Sequence, residues 1–308
     1  MQKANAQFNE TIFYDTVNKI SSEGIITGGY SQGKYLYLTG GSFPNAYSIP
    51  SLTKVDTAGN VIWTATDPEL FSSFKQGIDI SVVSGKTNQC LLSGQRIFTA
   101  STTNELWCVD DSSGNLLWKT KIPSDYVIKL VDLSAAEFIL LTGHYGMEYH
   151  VINKETGKIT YSRRLIPAAN NNVYRADLMV DVHQNIIISW GDTCYKYRDR
   201  ELNQLLWKSS LPYYGNKSIE RIILDSNQYI LAGMNNVSAV DTLTGNVIWY
   251  KKVLVGNIPL VQSGEDGVPR KLIIRDSLIY ISWNSAGVGG VDLRRGFAMT
   301  CVNKYNGN

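Results

Sequence analysis

Along the chain, short apolar runs alternate with clusters of Gly, Asn, Asp and Ser, and no stretch carries the apolar stripe of an amphipathic helix. The runs are rich in β-branched and aromatic residues, which is the pattern of strands. One stretch organises the rest: residues 240–250 read VDTLTGNVIWY, a strand, a tight turn and a second strand. Versions of it recur as VDTAGNVIW ending at Trp63, VDDSSGNLLW at Trp118, INKETGKITY at Tyr161 and RDRELNQLLW at Trp207. Self-similarity at this spacing marks repeated units that bury their apolar faces only against their neighbours.

The turn inside each unit has a physical logic. Asp56, Asp110, Asn153, Asp199, Asp241 or Asn303 opens it, and such a side chain accepts bonds from backbone N–H groups two residues on. Four residues before each closing aromatic stands Gly59, Gly114, Gly157, Asn203 or Gly245. This position is expected to be left-handed, with Asn203 as the next-best substitute for Gly.

Each unit reads as four strands. The first takes residues 25–28, 35–39, 53–56 and 61–63; the second 78–83, 90–93, 106–110 and 116–118; the third 128–133, 138–142, 149–153 and 159–161. The fourth takes 176–182, 186–189, 194–198 and 205–207, and the fifth 219–224, 229–232, 237–241 and 247–249. The sixth takes 271–275, 278–282 and 297–303, and its outer strand is expected from residues 11–15, where NETIFYDTV aligns with GNVIWYKKV and sets Phe13 where Trp249 sits. A second parse, opening a turn at Asp292 and Gly296 and making 297–302 an outer strand, lacks the aromatic and ranks below it. The expected fold is all-β, a single β-propeller of six four-stranded antiparallel blades over residues 9–308, closed by the N-terminal strand. Phe13, Trp63, Trp118, Tyr161, Trp207 and Trp249 are then blade-packing aromatics.

The units VDTLTGNVIW and VDDSSGNLLW resemble the PQQ-like propeller repeat of quinoprotein dehydrogenases and outer-membrane assembly lipoproteins. The resemblance implies the propeller and says little of activity, because the same repeat serves enzymes and scaffolds. It implies no quinone here: quinoprotein alcohol dehydrogenases typically have eight blades and a vicinal cysteine pair, whereas Cys90, Cys108, Cys194 and Cys301 are all separated. No cofactor is expected. The cysteines read as small buried hydrophobes, with a cross-strand Cys90–Cys108 disulfide as the one exception to test.

Charge adds little: 29 Lys+Arg against 27 Asp+Glu give no electrostatic case for nucleic acid or an anionic membrane surface. No apolar run approaches the ~20 residues that span a bilayer. Residues 1–8 read as an export-signal remnant or disordered N-terminus, on the small-residue box Ala4-Asn5-Ala6. No hydrolase, P-loop or metalloprotease motif is present. His144, Glu148 and His150 on one hairpin are a weak metal set, and no metal is expected.

Function is therefore sought on the loop-rich rim opposite the regular turns. At the ends of the second strands the chain reads Gly40, Gly94, Gly143, Trp190, Gly233 and Trp283, so two units replace Gly by Trp. Trp190 and Trp283, with Phe43, Tyr47, Phe98, Tyr145, Tyr213, Tyr214, Arg294 and Arg295, form the expected partner-binding rim, since aromatic and Arg surfaces favour protein or glycan partners. The reading is a non-enzymatic scaffold, monomeric as a domain, exported to the bacterial periplasm, an outer-membrane complex or beyond, and docking a protein partner. The alternatives are a hydrolase or oxidoreductase at the channel mouth, or a propeller module of a larger secreted protein with glycan binding.

Overall fold

A computed structural model describes residues 24–42, 49–66, 90–100, 105–123, 126–144, 146–166, 176–211, 219–233, 236–253, 266–286 and 297–308. All the regular structure among them is strand, in six antiparallel sheets. The first holds β1 (Gly24–Gln32), β2 (Tyr35–Ser42), β3 (Ile49–Asp56) and β4 (Val61–Thr66); the second β5 (Cys90–Ser93), β6 (Arg96–Ala100), β7 (Glu105–Asp110) and β8 (Leu116–Lys121). The third holds β9 (Tyr126–Asp132), β10 (Glu137–His144), β11 (Gly146–Asn153) and β12 (Ile159–Ile166); the fourth β13 (Ala176–Val180), β14 (Ile186–Trp190), β15 (Thr193–Tyr197) and β16 (Leu205–Ser210). The fifth holds β17 (Ile219–Asp225), β18 (Gln228–Gly233), β19 (Asn236–Asp241) and β20 (Val247–Lys252); the sixth β21 (Asp266–Arg275), β22 (Leu278–Ala286) and β23 (Phe297–Asn303).

Every sheet is an up-and-down meander in which strand neighbours follow chain order. The sixth has β23 pairing β22 as its third strand, as the favoured parse requires; the expected strand at 11–15, with Phe13, lies outside the described residues. The chain divides into two compact units, Met1–His144 with Glu148–Ser162, and Tyr145–Met147 with Arg163–Asn308.

Three second strands are buried on both faces, β18 throughout and β10 and β14 at Phe138–Leu141 and Ile186–Ile188, whereas β15 alternates buried and half-buried positions. This is why the second strands read as continuous apolar runs rather than as alternating ones. Within each unit the cores lie between consecutive sheets. Tyr37, Leu52 and Trp63 pack with Ile97 and Val109, and Phe98 and Leu106 pack with Phe138 and Leu140. Ile187, Cys194 and Trp207 pack with Tyr229 and Leu231, and Ile230 and Trp249 pack with Ile279 and Trp283.

Two boundaries depart from the sequence reading. Residues 90–93 form the first strand of their sheet, and the second is β6 at 96–100, joined by a turn at Gly94, φ 63°. CLLSG resembles the end of a second strand, which displaced the assignment by one strand; the segment 78–83 lies outside the described residues. In register, Cys108 lies opposite Phe98 while Cys90 lies opposite Thr99, so β6 separates the two cysteine strands, and Cys108 is a free, buried thiol. The second departure is in the fourth sheet, where the left-handed residue is Leu202, φ 58°, one position before Asn203.

A bulge recurs beside each closing tryptophan. Lys54 lies opposite Trp63 but Val55 lies opposite Val61, so Ile62 is the extra residue, and Leu117, Leu206 and Ile248 repeat the step. A bulge re-aims the following side chain. It leaves an exposed apolar pair on the outer strand, such as Val61 with Ile62 or Val247 with Ile248, while Trp63, Trp207 and Trp249 are buried.

Candidate functional site

The most regular constellation in the molecule is a hydrogen-bonded node that joins consecutive sheets. Trp63 Nε1–H donates to the carbonyl of Asp111 at 3.0 Å, and Lys54 Nζ donates to the same oxygen at 2.9 Å. The Lys154 carbonyl takes Trp118 Nε1 at 3.0 Å and Arg96 at 3.0 Å; the Thr242 carbonyl takes Trp207 Nε1 at 3.1 Å and Lys196 Nζ at 2.9 Å. The Lys304 carbonyl takes Trp249 Nε1 at 2.9 Å and Gln228 at 3.1 Å. Both lone pairs of each turn carbonyl are thus satisfied from the preceding sheet. Directly beneath, the turn glycine lies against the indole: a Cβ on Gly157 would stand 2.6 Å from Trp118, and on Gly245 2.8 Å from Trp207. Tyr161 breaks the series, and in its place Arg163 donates to the carbonyls of Glu201 and Leu202 at 3.1 and 2.6 Å.

Carboxylates reinforce the nodes. Asp111 accepts from Tyr37 and Lys54; Lys154 bonds Asp132, Ser93 and Ser134; Lys304 pairs with Asp225 at 3.1 Å. The most enclosed is Asp181, which accepts from Tyr229 Oη at 2.8 Å, Lys196 Nζ at 3.1 Å and the Asn185 amide at 2.9 Å. Burial opposes its ionisation, but the bonds from Asn185, Tyr229 and Lys196 prevail and hold it down at about 2. Burial, together with the Asp181 carboxylate, pushes the Tyr229 phenol upward. In the turns, Ser112 and Ser113 hold Asp110 at about 2, and the bond from Asn60 lowers Asp56. The carboxylates of Asp56, Asp110 and Asp181 are ionised, engaged acceptors, suited to fixing turns and sheets.

The expected rim residues separate into three groups. Trp190 is half-buried at the end of β14 and stacks on Tyr195, ring centroids 3.9 Å apart and planes at 13°, with Tyr197 parallel beyond it at 6.4 Å. Trp283 is fully buried, its Nε1–H donating to Thr300 Oγ1 at 2.7 Å, and belongs to the core between the fifth and sixth sheets. Phe98 is fully buried, 4.7 Å from Phe138, because β6 is a middle strand and not a rim loop. Both are therefore corrected from rim to core: each lies on a strand with a sheet on its apolar side, which covers the ring. Phe43, Tyr47, Tyr145, Tyr213, Tyr214, Arg294 and Arg295 lie outside the described residues.

His150 is buried, with Nδ1 2.9 Å from Ser162 Oγ and Nε2 3.4 Å from Thr142 Oγ1 and 3.6 Å from Glu148. Burial lowers its pKa from 6.5, with Glu148 opposing. Among the described residues no group of three His, Cys, Asp or Glu side chains is placed to hold a metal ion. The stacked Tyr195 and the paired turn carbonyls were not foreseen. An aromatic two residues after a strand-end turn is the signal that would have found Tyr195.

With this geometry in place, comparison with known proteins gives a family. Residues 50–303 match the family described as outer membrane protein assembly factor BamB, and the chain belongs to it. Its sheets are the blades of a β-propeller, as in BamB from Moraxella catarrhalis, to which the chain is similar with a TM-score of 0.54 at 15% identity, over 91% of this chain and 77% of that one. It is also similar to a europium-containing methanol dehydrogenase, TM-score 0.59 at 11% identity over 92% and 68% of the two chains. For the quinohemoprotein alcohol dehydrogenase from Comamonas testosteroni the TM-score is 0.58 at 11% identity, over 83% of this chain and 51% of that chain. At such identities the structural likenesses show the fold alone. No curated protein matches the sequence.

Proposed function

We propose that this protein is a non-enzymatic propeller scaffold, exported to the bacterial envelope, that docks a protein partner through the rim at Trp190. The observation that carries the reading is membership of the outer membrane assembly factor family over residues 50–303. Local chemistry supports it: Trp190 is half-buried and held flat by Tyr195, so its ring is pre-ordered. Ordered aromatic anchors bind with little further entropy cost. Phe43, Tyr47, Tyr145, Tyr213, Tyr214, Arg294 and Arg295 stay candidates for partner contact on the sequence reading; Trp283 and Phe98 do not.

The test is recovery of envelope proteins by immobilised full-length protein carrying Trp190→Ala, with far-UV circular dichroism and thermal unfolding as folding controls. Loss of a specific partner from a folded variant supports the rim. Unchanged recovery removes it.

A further inference from the structure

A second surface lies on the outer edge of the fifth sheet. Among the described residues strand β20 pairs with β19, and no strand lies along its other edge, the arrangement that leaves a sheet open to a further strand. Beyond the bulge at Ile248 the register is regular for four residues, Trp249 opposite Ala239, Tyr250 opposite Ser238, Lys251 opposite Val237 and Lys252 opposite Asn236. Val247 and Ile248, 39% and 47% exposed, stand at one end of this edge, and exposed Lys251 and Lys252 at the other. The strand VIWYKK contains no carboxylate. The nearest acid along the meander, Asp241, is engaged by Thr244 and Leu243 in its own turn. Tyr250 is fixed from behind by its hydroxyl, 2.5 Å from Asn236 Oδ1.

We propose that the β20 edge is a docking site for an extended acidic segment of another protein, which adds to the blade as a fifth antiparallel or parallel strand. The backbone edge supplies main-chain hydrogen bonds, the exposed Val247–Ile248 pair supplies apolar contact, and Lys251 and Lys252 select carboxylates. An acidic strand answers all three features. A lipid surface would answer the charge and the apolar pair but would leave the strand's amides unpaired.

The experiment is a titration of the full chain with a fluorescent nine-residue peptide of alternating Val and Glu, followed by anisotropy and by amide hydrogen exchange. Saturable binding that weakens with salt, falls at least tenfold in Lys251→Glu/Lys252→Glu and adds exchange protection to β20 supports the site. A peptide with Pro at alternate positions is expected to bind at least tenfold more weakly, because it lacks the donors for the ladder. Equal affinity for the charge-reversed protein, equal affinity for the Pro peptide, or protection that appears elsewhere overturns it. If the lysines serve only to deter edge pairing, Lys251→Ala/Lys252→Ala self-associates while the peptide titration stays flat, which also overturns it. Trp190→Ala leaves this titration unchanged, so the rim reading and the edge site fail separately.

Discussion

Gly114 lies against the indole of Trp63, so close that a Cβ on the glycine would stand 2.7 Å from Trp63 Cδ2, with the backbone at φ 75°. Two independent constraints meet at this residue, a left-handed backbone and a ring where a side chain would go. Gly114→Ala is therefore expected to cost about 2–4 kcal/mol, from about 1–2 for the left-handed conformation and the rest for overpacking. Gly94→Ala, left-handed but with open space around it, isolates the first contribution. Urea denaturation of both variants checks the difference; equal losses would show that the indole yields.

The tryptophan nodes predict a graded series. Trp207→Phe removes one of two donors to the Thr242 carbonyl, and Lys196 keeps that oxygen satisfied. The expected loss is about 1 kcal/mol, whereas Trp207→Ala, which empties a core position, costs about 3–5 kcal/mol. Chemical denaturation distinguishes a bond from a cavity in this pair.

Four of the six first-to-second strand connections use a left-handed first turn residue: Gly33 at φ 60°, Gly94 at 63°, Ser226 at 56° and Asp276 at 55°. Ser226→Gly is expected to stabilise by about 0.5 kcal/mol, since relief of left-handed strain exceeds the added chain entropy. Asn203→Gly gives no such gain, because the left-handed residue of that turn is Leu202. Thermal unfolding of the two variants tests the assignment.

Acid should unfold the protein in two ranges. His150 is held neutral by burial, so the unfolded chain takes up its proton first as pH falls below 6.5, and stability drops from there; His150→Gln flattens that part of the curve. Asp181 is lowered to about 2 from 3.8, so its contribution is complete above 3.8 and is lost as pH falls toward 2. Asp110 behaves with the same sign over the same range. Stability measured from pH 7 to 2 in wild type and Asp181→Asn separates the two ranges.

Thiol reactivity follows burial. Cys108 is pushed up to about 12 by burial and Cys194 is raised likewise, whereas Cys301 is exposed. Cys301 is expected to react with a thiol reagent in the native protein, and Cys108 and Cys194 only after denaturation. Mass spectrometry of the labelled peptides gives the order.

Much of the fold was legible because its signals are local and repeat. The Asp-to-Gly turns, the apolar middle strands and the closing tryptophans each carry their own chemistry within about ten residues, and the sheets follow chain order. The misplaced strand was also legible: SGQR at 93–96 has the same Gly-led turn as QGKY at 32–35. The site was read less well. Trp190 and Trp283 follow similar apolar runs in the sequence, but Trp190 ends β14 whereas β22 continues to Ala286 past Trp283, and nothing in either run tells which indole is covered.

The sequence by itself determined the repeat, the turn chemistry and the six-sheet meander, because each depends on which residues are neighbours along the chain. Only the tertiary structure decided that Trp283 and Phe98 are core, that Cys108 is separated from Cys90 by β6, and that the carbonyls of Asp111, Lys154, Thr242 and Lys304 each take two donors from the preceding sheet. Those facts depend on what lies on the other side of a side chain, and burial is a property of the packed pair rather than of either strand.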